Sequence, residues 1–293
     1  MYPKVSPKVT LLVSSLEWGL CDMFLSMNSL EWKDLLSNPG PDGHIVQLYQ
    51  EPDFYGEAIS HFAVEGLIRG ESIILVATDS NWANISKHLE RHGLDIPQLF
   101  ERGQLTLLNA NDTLPKFMAN GAPDGSIFKP LASQTIKKAR CDGKYSRVRW
   151  WGEMVNVLYV DGNGNASHKL EQFFDEVAHE ESIAIFCSFL MDRYDPRIYD
   201  EVFANVCSTH SNVIPTRDYL GHRNAINAAV EEVMGPIEGP LLQSLVSWSG
   251  VSGVPSSQAM LLWVKDTAPQ YFHDVLARAK SYDVPDGKAA NNE

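Results

Sequence analysis

The sequence predicts an α/β fold in which a mainly parallel sheet is flanked by helices on both faces. From His44 onward, short apolar runs alternate with helical patterns, the order typical of βαβ units. Residues 73–77 and 183–187 are continuously apolar, as expected of strands buried on both faces. Short N-terminal and mixed C-terminal extensions flank this region.

The elements follow in chain order from this alternation. Predicted strands cover residues 44–49, 72–78, 105–108, 146–151 and 183–189. Predicted helices cover residues 54–69, 82–92, two stretches within 114–139, and then 153–159, 166–178 and 198–207. After residue 215, helical spacing covers 219–234, 236–248 and 271–282, whereas 260–264 is predicted as a strand.

Three regions are predicted along the chain. Residues 1–43 form a helical extension that ends in a turn-rich segment, and residues 44–215 form the main domain. Residues 216–293 form a C-terminal extension, whose last part, 286–293, lacks an apolar anchor and is expected to fray. An apolar stripe in this extension either covers the sheet of its own domain or forms a partner or homodimer surface. The stripe consists of Tyr219, Ile226, Ala229, Val230 and Val233.

Composition excludes several classes of protein. The 293 residues are 44% hydrophobic and 21% charged, which is ordinary for a globular protein and excludes a disordered tail or a fibre. The formal net charge of -13 repels nucleic-acid phosphates and anionic lipid. We therefore expect neither nucleic acid nor a membrane as a partner.

The cysteines and the N-terminus favour a cytoplasmic location. The four cysteines are widely spaced and contain no Cys-x-x-Cys pair, so they indicate neither a disulfide framework nor a zinc knuckle. No apolar run reaches the roughly 18 residues needed to span a bilayer. The apolar stretch 11–25 is interrupted by Glu17 and Asp22, which makes it a poor signal peptide.

Motifs for phosphate binding and covalent catalysis are missing. The loop 78–82 follows a strong strand but has neither the glycines nor the lysine that would hold phosphates, and segments 66–70 and 250–253 contain no Gly-Lys-Ser/Thr. No Gly-x-Ser-x-Gly elbow occurs, and Cys187 lies in a strand expected to be buried. We therefore predict no enzyme activity, no catalytic residue and no cofactor.

Metal-binding patterns are incomplete in the sequence. His88 and His92 share a helix face without a nearby carboxylate that completes a site. Cys207 and His210 offer only two ligands. No metal site is predicted.

The most informative stretch places Arg149 and Glu153 near the end of an interior strand. An unpaired buried charge costs several kcal/mol, so each needs either a structural salt bridge or a ligand. In a ligand pocket, Glu153 would orient a polar group, and Trp150, Trp151 and Met154 would form an apolar wall.

Loops at the carboxyl ends of parallel strands usually form the ligand site of an α/β sheet. This placement makes Asp79 a candidate ligand contact and Trp82 a candidate wall residue. Cys187 is interpreted as a small core residue or, near its strand end, as part of the pocket lining.

Several motifs resemble a known family. They are Gly152-Glu-Met-Val155, Gly162-Asn163, Leu170-Glu171, Phe173-Phe174, Ile185-Phe-Cys187 and His210-Ser-Asn-Val-Ile-Pro215, with His44-Ile-Val-Gln-Leu-Tyr49 and Arg102-Gly103-Gln104-Leu105 before them. Over about 44–215 the chain resembles the MEDS family, the methanogen/methylotroph sensory domain of DcmR-type regulators. The positions that match family motifs are His44, Tyr49, Arg149, Glu153, Glu171, Cys187 and His210. All of them except Glu171 are taken, with Asp79, as candidate ligand-binding residues.

The resemblance implies a RecA/KaiC-like fold that has lost its nucleotide-binding loop. It also implies a signalling role, proposed for the family as the sensing of small hydrocarbon derivatives. DcmR-type regulators carry a DNA-binding helix-turn-helix and other relatives a histidine kinase. Residues 1–43 are too short and acidic for the first, and 216–293 lack kinase glycine boxes. The chain is therefore expected to signal through a separate protein partner, a regulator or a kinase.

Three functions follow as hypotheses. The first is a cytoplasmic sensor that binds a small molecule at the carboxyl ends of the strands. The second is an adaptor that binds proteins and no small ligand. The third is a residual nucleotide-binding protein or ATPase.

Overall fold

The computed structural model describes residues 32–50, 52–200, 202–235 and 256–283. Its strands are β1 (His44–Tyr49), β2 (Ser72–Ala77), β3 (Leu105–Asn109), β4 (Met118–Ala119), β5 (Ala122–Pro123), β6 (Val148–Gly152), β7 (Ala184–Leu190) and β8 (Asn212–Ile214). Six of these strands form one sheet in the order β3-β2-β6-β7-β1-β8, with every neighbouring pair parallel. The predicted α/β class is confirmed.

Helices cover both faces of the sheet. They are α1 (Trp32–Ser37), α2 (Pro52–Ile68), α3 (Asp79–Arg91), α4 (Ile96–Glu101), α5 (Ala110–Thr113), α6 (Gly125–Ala139), α7 (Met154–Val160), α8 (Gly164–Glu181), α9 (Val202–Thr209), α10 (Tyr219–Met234), α11 (Ser256–Thr267) and α12 (Pro269–Tyr282). Several begin at a side-chain cap that satisfies a free backbone N–H. Asn163, for example, accepts from the N–H of Ala166 at the start of α8.

Side chains alternate between the two faces of the sheet, as the strand repeat of two requires. In β1, Val46 and Leu48 join one apolar core, while Ile45 joins the other. Both faces are covered, which explains the continuous apolar runs at 73–77 in β2 and at 183–187 in and before β7.

The C-terminal helices complete one of these cores. Ile226 of α10, Leu261 of α11 and Phe272 of α12 are buried in the same cluster as Val46 and Leu48. The apolar stripe of α10 thus packs inside the molecule, with Ile226, Ala229 and Val230 buried.

Several sequence predictions of local structure were wrong or incomplete. Helix α4 was not predicted, and the stretch 114–139, predicted as two helices, holds strands β4 and β5 before helix α6. Residues 260–264, predicted as a strand, lie within helix α11, because Met260, Leu261 and Val264 bury one face at helical spacing. The three-residue strand β8 was missed because so short a run carries no periodic signal. The predicted helix 236–248, the fraying end 286–293 and residues 1–31 lie outside the described residues.

Within the described ranges, none of the helices combines the length and the apolar character needed to cross a bilayer.

Candidate functional site

The candidate site residues that the sequence predicted lie in several separate parts of the structure. Arg149 lies with Glu71, and Glu153 lies with Tyr55 at the carboxyl end of β6. His44, Cys187 and His210 meet a carboxylate of α8 elsewhere on the sheet. The predicted single pocket at the strand ends does not bring all of these residues together.

The Arg149 guanidinium is held entirely by protein groups. Its Nε forms an ion pair with Glu71, and its two terminal nitrogens donate to the carbonyl oxygens of Leu36, Phe62 and Ser37 at 2.8 to 3.0 Å. Its side chain is 2% exposed. Arg149 therefore joins α1, α2 and β6.

The Glu153 carboxylate binds the amino end of helix α3. Its carboxylate accepts from the backbone N–H of Thr78 and the side-chain amide of Asn81, and the Tyr55 hydroxyl donates to it at 3.3 Å. A negative charge there also complements the positive end of the helix dipole. Burial, followed by the nearby Glu153 charge, raises the pKa of Tyr49 and of Tyr55, which keeps both phenols neutral.

Asp79 and Trp82, the other strand-end candidates, lie on α3. The Asp79 carboxylate accepts from the Asn109 side-chain amide at 2.8 Å. The Trp82 ring packs near Phe100, with ring centroids 6.2 Å apart.

The two tryptophans of β6 cannot line one pocket because consecutive strand residues point to opposite faces. Trp151 is buried in one core and donates from Nε1 to Ser188 at 3.1 Å. Trp150 belongs to the other core and, with Met154, lines a cavity of ≈ 190 Å³ that also touches Leu108.

His44, Glu171, Cys187 and His210 form a cluster of four buried polar side chains, called here the buried cluster. One ligand atom from each residue lies within 4.8 Å of the other three. Glu171 Oε2 is 3.2 Å from Nε2 of both histidines and 3.4 Å from Cys187 Sγ, and Cys187 Sγ is 3.6 Å from His44 Nε2. The two imidazole rings lie 4.0 Å apart between centroids.

Strand order creates the buried cluster. Strand β1 lies between β7 and β8, so His44 at its start lies beside both Cys187 on β7 and the segment that leads into β8. Ser211 fixes that segment: its backbone N–H donates to the His44 carbonyl at 2.7 Å, and its hydroxyl to the same carbonyl at 2.8 Å. This holds His210 against His44, and α8 covers both with Glu171.

The outer nitrogen of each histidine faces a backbone carbonyl. His44 Nδ1 lies 2.8 Å from the oxygen of Thr209, and His210 Nδ1 lies 2.6 Å from the oxygen of Val206. A proton on Nδ1 satisfies each carbonyl, and it fixes the ring so that Nε2 points into the buried cluster. Asp175 also approaches His44 Nδ1, at 3.5 Å.

The four side chains of the buried cluster have pKa values shifted in different directions. Burial lowers the pKa of His44, but hydrogen bonds to Asp175 and Glu171 outweigh it and raise this pKa to about 9. Burial raises the pKa of Glu171, yet His210 and His44 bring it down to about 2. Burial and the His44 charge lower the pKa of His210, while burial and Glu171 raise that of the Cys187 thiol. Without an ion, a charged His44 therefore faces an ionised Glu171.

A cavity of ≈ 200 Å³ lies beside the buried cluster on the same side of the sheet, and it is called here the α8 cavity. Glu171 belongs to both. The cavity is lined by Tyr159, Gly164, Asn165, Ser167, His168, Glu171, Phe189, Asn205 and Val206.

Unsatisfied polar atoms concentrate at this place. Five buried side-chain nitrogen or oxygen atoms of the described residues have no hydrogen-bond partner, and three of them are His168 Nδ1, Glu171 Oε1 and His210 Nε2. Buried polar atoms are normally paired with protein groups, ordered water or a bound group, so these three atoms make this place the candidate site.

A comparison with protein families decides the relationship. The model of the MEthanogen/methylotroph, DcmR Sensory domain matches residues 43–211, more than half of the chain. The chain belongs to the MEDS family. A comparison with curated proteins found no match.

The MEDS match covers all four residues of the buried cluster and all residues that line the α8 cavity. It ends before helices α10 to α12, although these helices bury side chains in the same core. The family is one of sensory domains, so membership supports a sensory role for this chain.

Sequence reasoning missed most of the α8 contribution to this MEDS domain. Glu171 was marked only by the family resemblance, and Ser167, His168 and Asp175 were not marked at all. A readable signal was present: polar residues at 167, 168, 171 and 175 form a stripe at helical spacing on a helix expected to pack on the sheet. The sequence pairs His210 with Cys207, but the side chain within 3.2 Å of His210 Nε2 is Glu171, and the cysteine of the buried cluster is Cys187. The side chain of Cys207 lies outside the described part.

Proposed function

We propose that this chain is a non-catalytic sensor that binds a small organic molecule in the α8 cavity and passes the signal to a separate protein partner. The observation that carries the proposal is Glu171 Oε1, a buried carboxylate oxygen at the cavity without a hydrogen-bond partner among the described residues. The family supports the sensory part.

The lining of the cavity supports a ligand with one polar end. Because the lowered pKa of Glu171 keeps its carboxylate ionised, Oε1 accepts hydrogen bonds and requires a donor from the ligand. Tyr159, Phe189 and Val206 offer apolar contacts for the remainder. A cavity of ≈ 200 Å³ is smaller than the roughly 300–1,000 Å³ of typical drug-sized sites. A short alcohol or amine therefore fits better than a nucleotide or a halocarbon without a donor.

The absence of a phosphate-holding loop supports a role without nucleotide turnover. In a RecA/KaiC-like fold the first strand would lead into that loop. Here β1 is followed by Gln50-Glu51-Pro52-Asp53-Phe54, which has no glycine or lysine and carries two acidic side chains. The proposed setting is the cytoplasm, with the described Cys141 and Cys187 as free thiols.

Signalling would arise from the helices around the ligand. The cavity is lined from α7, α8, β7 and α9. A ligand that binds two arrangements of these helices with different affinity shifts their equilibrium. A regulator or kinase that contacts one arrangement would respond to that shift.

The test is a thermal-unfolding screen of the full chain with short alcohols, amines, organic acids, halocarbons and nucleotides. A ligand that binds only the folded state raises Tm. We expect a short alcohol or amine to raise Tm in the wild type and in His179→Phe, but not in His168→Phe. His179 is the matched control because it lies on the same helix, is 60% exposed and lies outside the cavity lining.

Two results would count against the proposal. The first is a screen in which no donor-bearing small molecule raises Tm. The second is an equal rise in His168→Phe and the wild type, because the bound molecule would then lie elsewhere.

A further inference from the structure

We propose that the buried cluster is a transition-metal site, with Zn²⁺ as the ion that its ligands suit best. The ligand atoms are Nε2 of His44 and His210, Sγ of Cys187 and a carboxylate oxygen of Glu171. Glu171 also lines the α8 cavity, but the metal site is tested separately from the organic ligand there.

The types of donor select the class of ion. A thiolate and two imidazoles are soft and intermediate ligands, and with a carboxylate they form a set that Zn²⁺ binds readily. Mg²⁺ and Ca²⁺ prefer sets made only of oxygen atoms. The buried cluster therefore discriminates between these two groups of ions.

The distances suit tetrahedral coordination. Zinc bonds of about 2.0–2.3 Å at tetrahedral angles place neighbouring ligand atoms about 3.3–3.6 Å apart. Four of the six separations in the buried cluster are 3.2, 3.2, 3.4 and 3.6 Å, and all six are within 4.8 Å. Small side-chain shifts would bring the atoms around a common centre.

Backbone carbonyls hold both imidazole rings in the orientation that is usual for histidines that bind a metal. A ligating histidine generally gives its other N–H to a carbonyl or carboxylate, which fixes the tautomer and directs the lone pair at the ion. His44 Nδ1 does so with Thr209, and His210 Nδ1 with Val206. Asp175 adds a carboxylate beside His44.

Charge balance also permits a divalent cation. Cys187 as thiolate and Glu171 as carboxylate carry two negative charges, which a divalent ion cancels while both histidines stay neutral. A neutral site is the arrangement that a buried position tolerates, because an uncompensated charge costs several kcal/mol there. All four side chains are buried.

An ion would also satisfy atoms that the protein leaves unpaired. Nε2 of His210 makes no hydrogen bond among the described residues, although it lies 3.2 Å from Glu171 Oε2. With the proton on Nδ1 alone, this nitrogen presents a lone pair to a carboxylate oxygen, and a cation between the two atoms would bind both.

The first experiment uses the wild-type full chain. It is loaded with Zn²⁺ or Co²⁺, dialysed and analysed for metal, and Co²⁺ reports the ligands through its absorption. We expect a single equivalent of metal, a rise of Tm with Zn²⁺ and not with Mg²⁺, and the d–d bands of tetrahedral Co²⁺ with a thiolate-to-cobalt charge-transfer band. Failure to retain either ion, or a Co²⁺ spectrum without the charge-transfer band, would overturn the proposal.

Matched variants locate the ion. Cys187→Ser and His210→Gln should lower metal affinity at least tenfold, whereas Cys141→Ser and His179→Gln should retain it. Cys141 is the other described free cysteine, and His179 is an exposed histidine of α8. Equal retention by Cys187→Ser and the wild type would refute the site. Circular dichroism checks that each variant folds, and the wild-type measurements decide the proposal if one does not.

The two proposals fail separately. Metal retention without any Tm rise from organic compounds would leave the metal site standing and remove the sensor proposal. A Tm rise from an alcohol in a chain that retains no metal would do the reverse.

Discussion

Arg149 and Glu71 form a buried ion pair that ties β6 to the segment just before β2. Their side chains are 2% and 5% exposed. The remaining donors of Arg149 bind carbonyl oxygens of α1 and α2, so one guanidinium joins four elements of the fold. The sequence placed Arg149 near Glu153, but the fold gives each of them a different set of partners.

The first prediction concerns this ion pair. Arg149→Gln should lower the free energy of unfolding by about 3–5 kcal/mol, because it leaves the Glu71 charge buried with less compensation. Arg147→Gln removes a contact to the same Glu71 carboxylate at 3.3 Å, but Arg147 is 46% exposed and should cost at most about 1 kcal/mol. Urea unfolding of both variants measures the difference.

The comparison is decisive because both arginines share one partner. Similar losses in the two variants would show that burial does not set the strength of this pair. Loss of small-molecule binding with unchanged stability in Arg149→Gln would assign Arg149 to a ligand site.

The second prediction separates a structural role of Glu153 from a ligand role. Glu153→Gln replaces one acceptor oxygen with an NH₂ group facing the donors of Thr78 and Asn81. We expect a loss of about 1–3 kcal/mol in the free energy of unfolding. Faster hydrogen exchange in the first turn of α3 should accompany it.

Glu176→Gln is the control for this substitution. Its side chain is 47% exposed and pairs with Lys129, so little stability should be lost. An unchanged exchange rate in α3 of Glu153→Gln would contradict the capping role.

The third prediction concerns acid stability at Asp283. Burial raises the pKa of Asp283, but hydrogen bonds from His222, Tyr194 and Arg193 outweigh it and hold this pKa well below the ordinary value of 3.8. Arg193 Nη2 donates at 2.8 Å, and His222 Nδ1 lies at 3.3 Å. The unfolded chain therefore takes up a proton at this carboxylate before the folded chain does.

Because the pKa of Asp283 is lower in the folded chain, its contribution to stability is lost as the pH falls. Asp283 contributes on the order of 2 kcal/mol of stability above pH 4, and the contribution falls as the pH drops below the unfolded-state value. Asp283→Asn should be less stable at pH 7 and should lose less stability between pH 5 and pH 3. Urea unfolding across this range measures both slopes, and parallel slopes would refute the assignment.

Local sequence patterns predicted most secondary elements of the sheet and its helices. The apolar runs within β2 and β7 were recognised because strands buried on both faces carry mostly apolar side chains. The pattern failed at 260–264, where a five-residue apolar run fits a strand or a helix equally well and packing against α10 and α12 decided for a helix.

The candidate site could be predicted only in part. Family motifs mark Glu171, Cys187 and His210, but no spacing joins them. The sequence pairs His210 with Cys207 and predicts Cys187 as a core residue or part of the pocket lining. The strand alternation that separates Trp150 from Trp151 was available from the sequence, and it would have divided the predicted pocket wall.

The sequence by itself determined the α/β class, the order of its main elements and the MEDS relationship, because these depend on local periodicity and on short motifs. Only the tertiary structure decided that His44, Glu171, Cys187 and His210 meet. Periodicity along a chain does not specify which strands become lateral neighbours, and β1 brings these residues together only because it lies between β7 and β8.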